Sequence, residues 1–100
     1  MHQYLVHKMS WKVVCNRKKF QKQRLPKVVM ATMELLIAEI EQSGSVRGNW
    51  PNYSKLPNNR HHCHIKKDKP TYVAVWEDIN KNKVKLVEII YVGTHEKAPY

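Results

Sequence analysis

The feature of this sequence that most constrains its fold is a 3.6-residue period of apolar side chains between Pro26 and Gln42. The stripe recurs at i, i+4, i+7, i+8 and i+11 and consists of Val29, Met33, Leu36, Ile37 and Ile40. This spacing places the side chains on one face of a helix, which must bury that face against another element. Proline suits the first turn of a helix, and Gly44 is a residue type that often follows the last turn. We therefore expect one long amphipathic helix over 26–42.

Short runs of β-branched and aromatic residues surround this helix in the chain. They predict strands over 11–15, 61–67, 71–77 and 85–92. The last strand is apolar on both faces, which is typical of a central strand that is covered on each side. The basic segment 16–24 is predicted to be a short exposed helix with Phe20 as its apolar anchor. The stretch 43–60 contains two glycines, two prolines and four asparagines, so we expect a long loop of the kind that is usually functional.

The order of these elements is β-α-α-β-β-β, with both helices ahead of an antiparallel meander. Such segregation is typical of an α+β domain whose helices pack on one face of a small, mainly antiparallel sheet. The 100 residues suit a single domain, in which residues 1–10 are an additional strand or a loose arm. No apolar run has the length of a signal peptide or a membrane span, so we expect a soluble, cytoplasmic protein with no membrane partner.

The charge of the chain is strongly unbalanced, since 18 lysines and arginines against 8 aspartates and glutamates give +10. This excess predicts a polyanionic partner, which is a nucleic acid, an acidic protein or an anionic membrane. Aromatic residues among cations are typical of surfaces on which unpaired RNA bases stack, although Trp76 is expected in the core instead. The candidate RNA-binding residues are Lys18, Lys19, Lys22, Lys55, Lys66, Lys67, Trp50, Tyr53 and Tyr91. The alternatives for the basic helix are a solvated face and a docking strip for an acidic partner.

A histidine-rich run, HHCH at 61–64, lies on the second predicted strand. Alternation along a strand points His62 and His64 to one face and Cys63 to the other. Two ligands at this spacing are too few for a metal site, and no second ligand pair is present in the sequence, so we expect neither a metal nor another cofactor. Two interpretations stay open: a polar strand face above a buried thiol, or an acid–base role for His64 on an open face.

The end of the chain, GTHEKAPY at 93–100, offers a second candidate. His95 directly follows an apolar strand, so its backbone is held while its side chain can reach a cleft. The pKa of an unperturbed histidine, about 6.5, suits general acid–base catalysis near neutrality. The alternative is that His95 is merely a polar residue at a strand end and Tyr100 a frayed tail.

From about Trp11 onward the chain resembles the RelE/ParE superfamily of bacterial toxins from toxin–antitoxin systems, and its second half is most similar to the YafQ-like and RelE-like mRNA interferases. Gly93-Thr94-His95 resembles the GTH motif of YafQ-like toxins, whose histidine is catalytic. The segment 63–68 resembles one that carries a histidine and, four residues later, an aspartate, both implicated in acid–base catalysis. The residues to which the resemblance gives catalytic roles are His95, His64, Asp68 and Tyr100.

The resemblance implies a RelE-like fold and an endoribonuclease that cleaves mRNA on the ribosome without a metal. His95 would protonate the leaving 5′-oxygen, and His64, oriented by Asp68, would withdraw the proton of the attacking 2′-hydroxyl. Where the YafQ-like toxins carry a catalytic arginine, this chain has Tyr91, so Arg60 or Lys66 is expected to stabilise the phosphoryl charge.

The expected partners are mRNA on the ribosome and an acidic antitoxin protein, with the free toxin a monomer and the antitoxin complex a hetero-oligomer. Two alternatives belong to other classes of function. One is a ParE-like toxin that poisons a topoisomerase without cutting RNA. The other is a non-catalytic protein that binds RNA or the ribosome.

Overall fold

The computed structural model describes residues 11–67, 69–81 and 84–100. The predicted arm, 1–10, and Asp68 lie outside these residues. The helices are α1 (Arg17–Lys22) and α2 (Lys27–Ser43), and a 3₁₀ turn spans His95–Lys97. The strands are β1 (Lys12–Cys15), β2 (Ser54–Leu56), β3 (Arg60–Lys66), β4 (Tyr72–Asp78) and β5 (Leu86–Thr94).

The described strands form one mixed sheet in the order β1-β5-β4-β3-β2. β1 pairs in parallel with β5, whereas the other three pairings are antiparallel. A parallel neighbour requires a crossover, and α1 and α2 begin that crossover between β1 and the meander. The predicted α+β class and the mainly antiparallel sheet are therefore confirmed.

The helical stripe between Pro26 and Gln42 packs on the sheet as its period predicts. Its side chains are at most 4% exposed. Phe20 anchors α1 in the same core, and Trp76 is fully buried, as the sequence indicates. The sheet contributes to this core the side chains of Cys63, Ile65, Ala74, Trp76, Val87, Ile89 and Val92. Burial of such apolar area, at about 25 cal/mol per Å², is the main stabilising contribution.

β2 was not expected, because it lies in the segment 43–60 that the sequence predicts as a loop. It is only three residues long and pairs antiparallel with the start of β3. Asn58 and Asn59 make the turn between the two strands, with φ of 64° and 60°. Asparagine tolerates this left-handed region better than most residues, so the turn signal was present although the strand was too short to show a period.

The prediction that the last strand is covered on both faces is wrong. Glu88 is exposed, and the alternation along β5 breaks at Ile90, which has no partner on β4. Such a β-bulge shifts the facing of the residues that follow it. Ile89 and Val92 both face the helices although they are three residues apart. The apolar run in the sequence thus reflects a bulge rather than two covered faces.

Candidate active site

β3 divides its side chains between the two faces of the sheet in strict alternation. His61, Cys63 and Ile65 are buried on the helix side. The residues between them, His62 and His64, are half-buried on the face that the helices leave open. The predicted opposite facing of Cys63 and its neighbours is confirmed.

On the open face four rings from three parts of the chain form a cluster, which we call the histidine–tyrosine cluster: His62, His64, His95 and Tyr100. The centroids of His64 and His95 are 5.6 Å apart, and those of His62 and His64 are 6.0 Å apart. The Tyr100 ring lies 4.6 Å from that of His62 and 6.0 Å from that of His95. The structure thus brings together three residues that the sequence singled out separately.

The backbone of His95 is anchored at the end of β5. Its N–H donates to the carbonyl of Thr71 at 2.8 Å, and Thr94 still pairs with Tyr72 on β4. The 3₁₀ turn that follows is closed by the Ala98 N–H, which donates to the His95 carbonyl at 3.2 Å. The imidazole itself is exposed, so a firmly held backbone presents an accessible ring.

Tyr91 supports the turn that carries His95. Its hydroxyl donates to the Thr94 carbonyl at 2.7 Å, and its ring covers Gly93. A Cβ added to Gly93 would lie 2.6 Å from the Tyr91 hydroxyl oxygen, closer than real Cβ contacts. A side chain at position 93 would push this ring aside, which accounts for the glycine there. Tyr91, predicted to bind RNA, thus contacts the turn that carries His95.

His62 is a member of the cluster that sequence reasoning did not select. Its Nδ1 lies 2.9 Å from the Ser54 hydroxyl on β2, which fixes the ring orientation. The two-residue spacing from His64 was a usable signal. The sequence did not predict β2, and without that strand nothing indicates that Ser54 lies beside the His62 ring.

Burial and mutual repulsion shift the proton affinities of the cluster. Desolvation and the neighbouring His95 and Lys67 charges lower the pKa of His64 below its usual value. Desolvation, followed by the His64 charge, likewise lowers the pKa of His62. Desolvation raises the pKa of Tyr100, so this phenol keeps its proton at neutral pH. His64 is therefore a neutral imidazole near pH 7, able to accept a proton.

An open pocket of about 740 Å³ lies beside the cluster. His64 and His95 form part of its wall, so a group bound there reaches both rings. The complete lining is His64, Lys69, Pro70, Thr71, Thr94, His95 and Glu96. Lys69 brings a cation to the pocket, and two threonine hydroxyls can donate or accept hydrogen bonds. The arrangement combines two acid–base groups and a positive charge around one accessible space.

Arg60 is not brought into the cluster. It lies four residues from His64 along β3, about 13 Å at the usual rise per residue of a strand. Its Nε donates to Glu77 Oε1 at 2.9 Å, so its charge is already compensated. Lys66 ends β3 and Lys67 follows it, and both line a second, smaller cavity that also includes His64. Lys55 is exposed on β2.

The other RNA-binding candidates are divided between α1 and the helix side of the sheet. Lys18, Lys19 and Lys22 are exposed on α1. Trp50 packs against the core on the helix side, where its indole N–H donates to Glu39 Oε1 at 2.9 Å. Tyr53 is also on that side, with its ring centroid 6.1 Å from that of Trp76. Tyr53 thus lies on the face opposite to the histidine–tyrosine cluster, whereas Trp50 lines the second cavity, of about 270 Å³, that also includes His64.

Tyr53 belongs to a buried polar network on the helix side. Its hydroxyl lies 2.6 Å from His61 Nδ1, and His61 Nε2 lies 2.7 Å from Asp78 Oδ2. The second oxygen of Asp78 accepts from the Ser45 hydroxyl. Both ring nitrogens of the buried His61 are thus satisfied, which a polar group in the core requires. We assign this network to structure because His61 is only 3% exposed.

Among residues 11–67, 69–81 and 84–100, no three His, Cys, Asp or Glu side chains are grouped to hold a metal ion. No helix in the described part of the chain is long and apolar enough to cross a membrane. No family model, curated protein or solved structure matches this chain.

Proposed function

We propose that this chain is a metal-independent endoribonuclease whose reaction centre is the His64–His95 pair. The observation that carries the proposal is the meeting of these two histidines, 31 positions apart in the sequence, with ring centroids 5.6 Å apart in the wall of an open pocket. Two imidazoles beside one substrate site supply the base and the acid that transesterification of RNA needs. The net charge of +10 favours a polyanionic substrate.

The lowered pKa of His64 suits it to the role of the base. As a neutral imidazole it takes the proton of the ribose 2′-hydroxyl, whose oxygen then attacks the adjacent phosphorus. The bond from phosphorus to the 5′-oxygen breaks, and His95 donates a proton to that leaving oxygen. The products are a 2′,3′-cyclic phosphate and a 5′-hydroxyl. DNA lacks the nucleophile, so the same centre selects RNA.

Charge stabilisation comes from Lys69 rather than from Arg60. Lys69 lines the same pocket as both histidines, whereas Arg60 is paired with Glu77 and lies about four strand residues away. A cation placed where the phosphoryl charge develops binds the transition state more strongly than the ground state. It therefore lowers the activation barrier, whereas a cation that binds both states equally well does not. Tyr100, protonated and half-exposed, supplies a hydroxyl donor and a ring face at the edge of the cluster.

The biological class that we propose is the toxin of a toxin–antitoxin system, acting on mRNA at the ribosome. The order β-α-α followed by antiparallel strands, with β1 parallel to β5, supports a RelE-like topology. The exposed lysines of α1 lie away from the reaction centre and are available to an acidic antitoxin. Asp68, to which the resemblance gives an orienting role, lies outside the described residues.

The experiment that tests this function uses the purified full chain on single-stranded RNA and on translating ribosomes. We expect cleavage in the presence of EDTA, with 2′,3′-cyclic phosphate ends identified by mass spectrometry. A chain that inhibits a topoisomerase and cuts no RNA would instead support the ParE-like alternative. Retention of uncut RNA in a binding assay would support a non-catalytic binding protein. Either result would overturn the endoribonuclease.

A further inference from the structure

The pocket contains one residue that phosphate chemistry does not explain. Glu96 lines it beside the cation Lys69 and the two histidines. A carboxylate repels the phosphates that the rest of the chain attracts, so phosphate binding does not account for Glu96 in this wall. None of the ion pairs made by the described residues includes Glu96. Its side chain is also exposed, so its oxygens can accept hydrogen bonds from a ligand in the pocket.

We propose that Glu96 recognises a guanine base next to the scissile phosphate. Guanine alone presents two adjacent donors, N1–H and the 2-amino group, on its Watson–Crick edge. An ionised carboxylate has two acceptor oxygens and no donor, and it matches this pair bidentately. Adenine and cytosine place an acceptor beside their single amino group, and uracil has one N–H between two carbonyls. The proposal rests on the proposed function, whose substrate it specifies.

The geometry couples this recognition to the reaction. Glu96 directly follows His95, so the two Cα atoms are about 3.8 Å apart and both side chains leave the same 3₁₀ turn. The ring of Pro70 offers an apolar surface for the base, and the hydroxyls of Thr71 and Thr94 can donate to guanine O6. A base held by Glu96 thus places the neighbouring phosphate close to the acid His95.

The test compares the wild type, Glu96→Gln and the control Glu88→Gln on an RNA library with random sequence. Glu88 is an exposed carboxylate on β5 that does not line the pocket. We expect the wild type and the control to favour guanine beside the cut, and Glu96→Gln to lose about 10- to 100-fold of this preference, the worth of one bidentate contact. Inosine in place of guanine lacks the 2-amino group and should reduce cleavage by the wild type but not by Glu96→Gln.

A binding measurement separates failure of this inference from failure of the proposed function. Calorimetry with guanosine and adenosine 3′- and 5′-monophosphates needs no cleavage, and tighter binding of the guanosine forms by the wild type alone would support the pocket even if no RNA is cut. RNA cleavage with no guanine preference would overturn the inference and leave the endoribonuclease standing. An unchanged preference in Glu96→Gln would overturn the role of this residue.

Discussion

Replacement of Gly93 by alanine tests how the turn that carries His95 is supported. The added methyl group would lie 2.6 Å from the hydroxyl oxygen of Tyr91 and 2.8 Å from its Cζ. The ring must therefore move, and with it the hydroxyl that donates to the Thr94 carbonyl. Because Thr94 immediately precedes His95, we expect the displacement to reach the imidazole.

The magnitude follows from the two interactions that change. Overpacking of a well-filled site costs about 1–3 kcal/mol, and the hydrogen bond contributes about 1 kcal/mol within that range. A domain of this size has about 5–15 kcal/mol of stability, so Gly93→Ala should still fold. Misplacement of a catalytic group by about 1 Å can cost about 100-fold in rate, so we expect activity to fall far more than stability.

The assay is RNA cleavage together with chemical denaturation of Gly93→Ala, Tyr91→Ala and the double variant. Removal of the Tyr91 ring leaves room for the new methyl group, so the cost of Gly93→Ala should be smaller in the Tyr91→Ala background. The double-mutant cycle isolates this contact. Equal costs of Gly93→Ala in the two backgrounds would refute the steric argument and with it our account of Gly93.

The remaining predictions concern the Asp78 carboxylate, the pocket residue Lys69 and the titration of His64. Asp78→Ala should lower the free energy of unfolding by about 1–3 kcal/mol in urea denaturation, because His61 and Ser45 lose their acceptor, whereas the exposed Glu88→Ala should change it by less than about 0.5 kcal/mol. Lys69→Ala should reduce kcat/KM by about tenfold, less than the 10²–10³-fold of a buried donor because this lysine is exposed, and an unchanged kcat/KM would remove it from charge stabilisation. The pKa of His64, followed by NMR titration, should lie below 6.5 and rise in His95→Gln, because the His95 charge contributes to its depression. A folded-state pKa below the unfolded one also means that the folded protein binds fewer protons, so stability should fall as the pH drops from about 6.5 through the folded pKa, and a rise would contradict this sign.

Much of the framework could be predicted because it depends on periodic burial. The stripe from Val29 to Ile40 defined α2 to within a residue at each end, and alternation placed Cys63 opposite to His64. Both are local patterns that the sequence displays directly. The same reliance on alternation led to the wrong prediction for β5. The bulge at Ile90 inserts one residue, and this makes a half-buried strand look apolar on both faces.

The candidate site was only partly predictable because it depends on long-range register. His64 and His95 were each recognisable as acid–base candidates, but only the pairing of β3 with β4 and of β4 with β5 brings them together. The role of Tyr91 depends on the side chain that Gly93 lacks, and a sequence pattern does not show which ring fills that space. The sequence made Arg60 a candidate for stabilising the phosphoryl charge, but β4 places Glu77 opposite to it and the two side chains form an ion pair.

The central claim is that His64 and His95 act as one acid–base pair. Its most direct test is the single-turnover rate of RNA cleavage by the wild type, His64→Ala, His95→Ala and the double variant, with the melting temperature of each recorded. We expect each single substitution to lower the rate by about 10²–10⁴-fold with little change in folding, and the double variant to fall less than the product of the two effects, because each histidine works only with the other. Full activity of either correctly folded single variant would contradict the account.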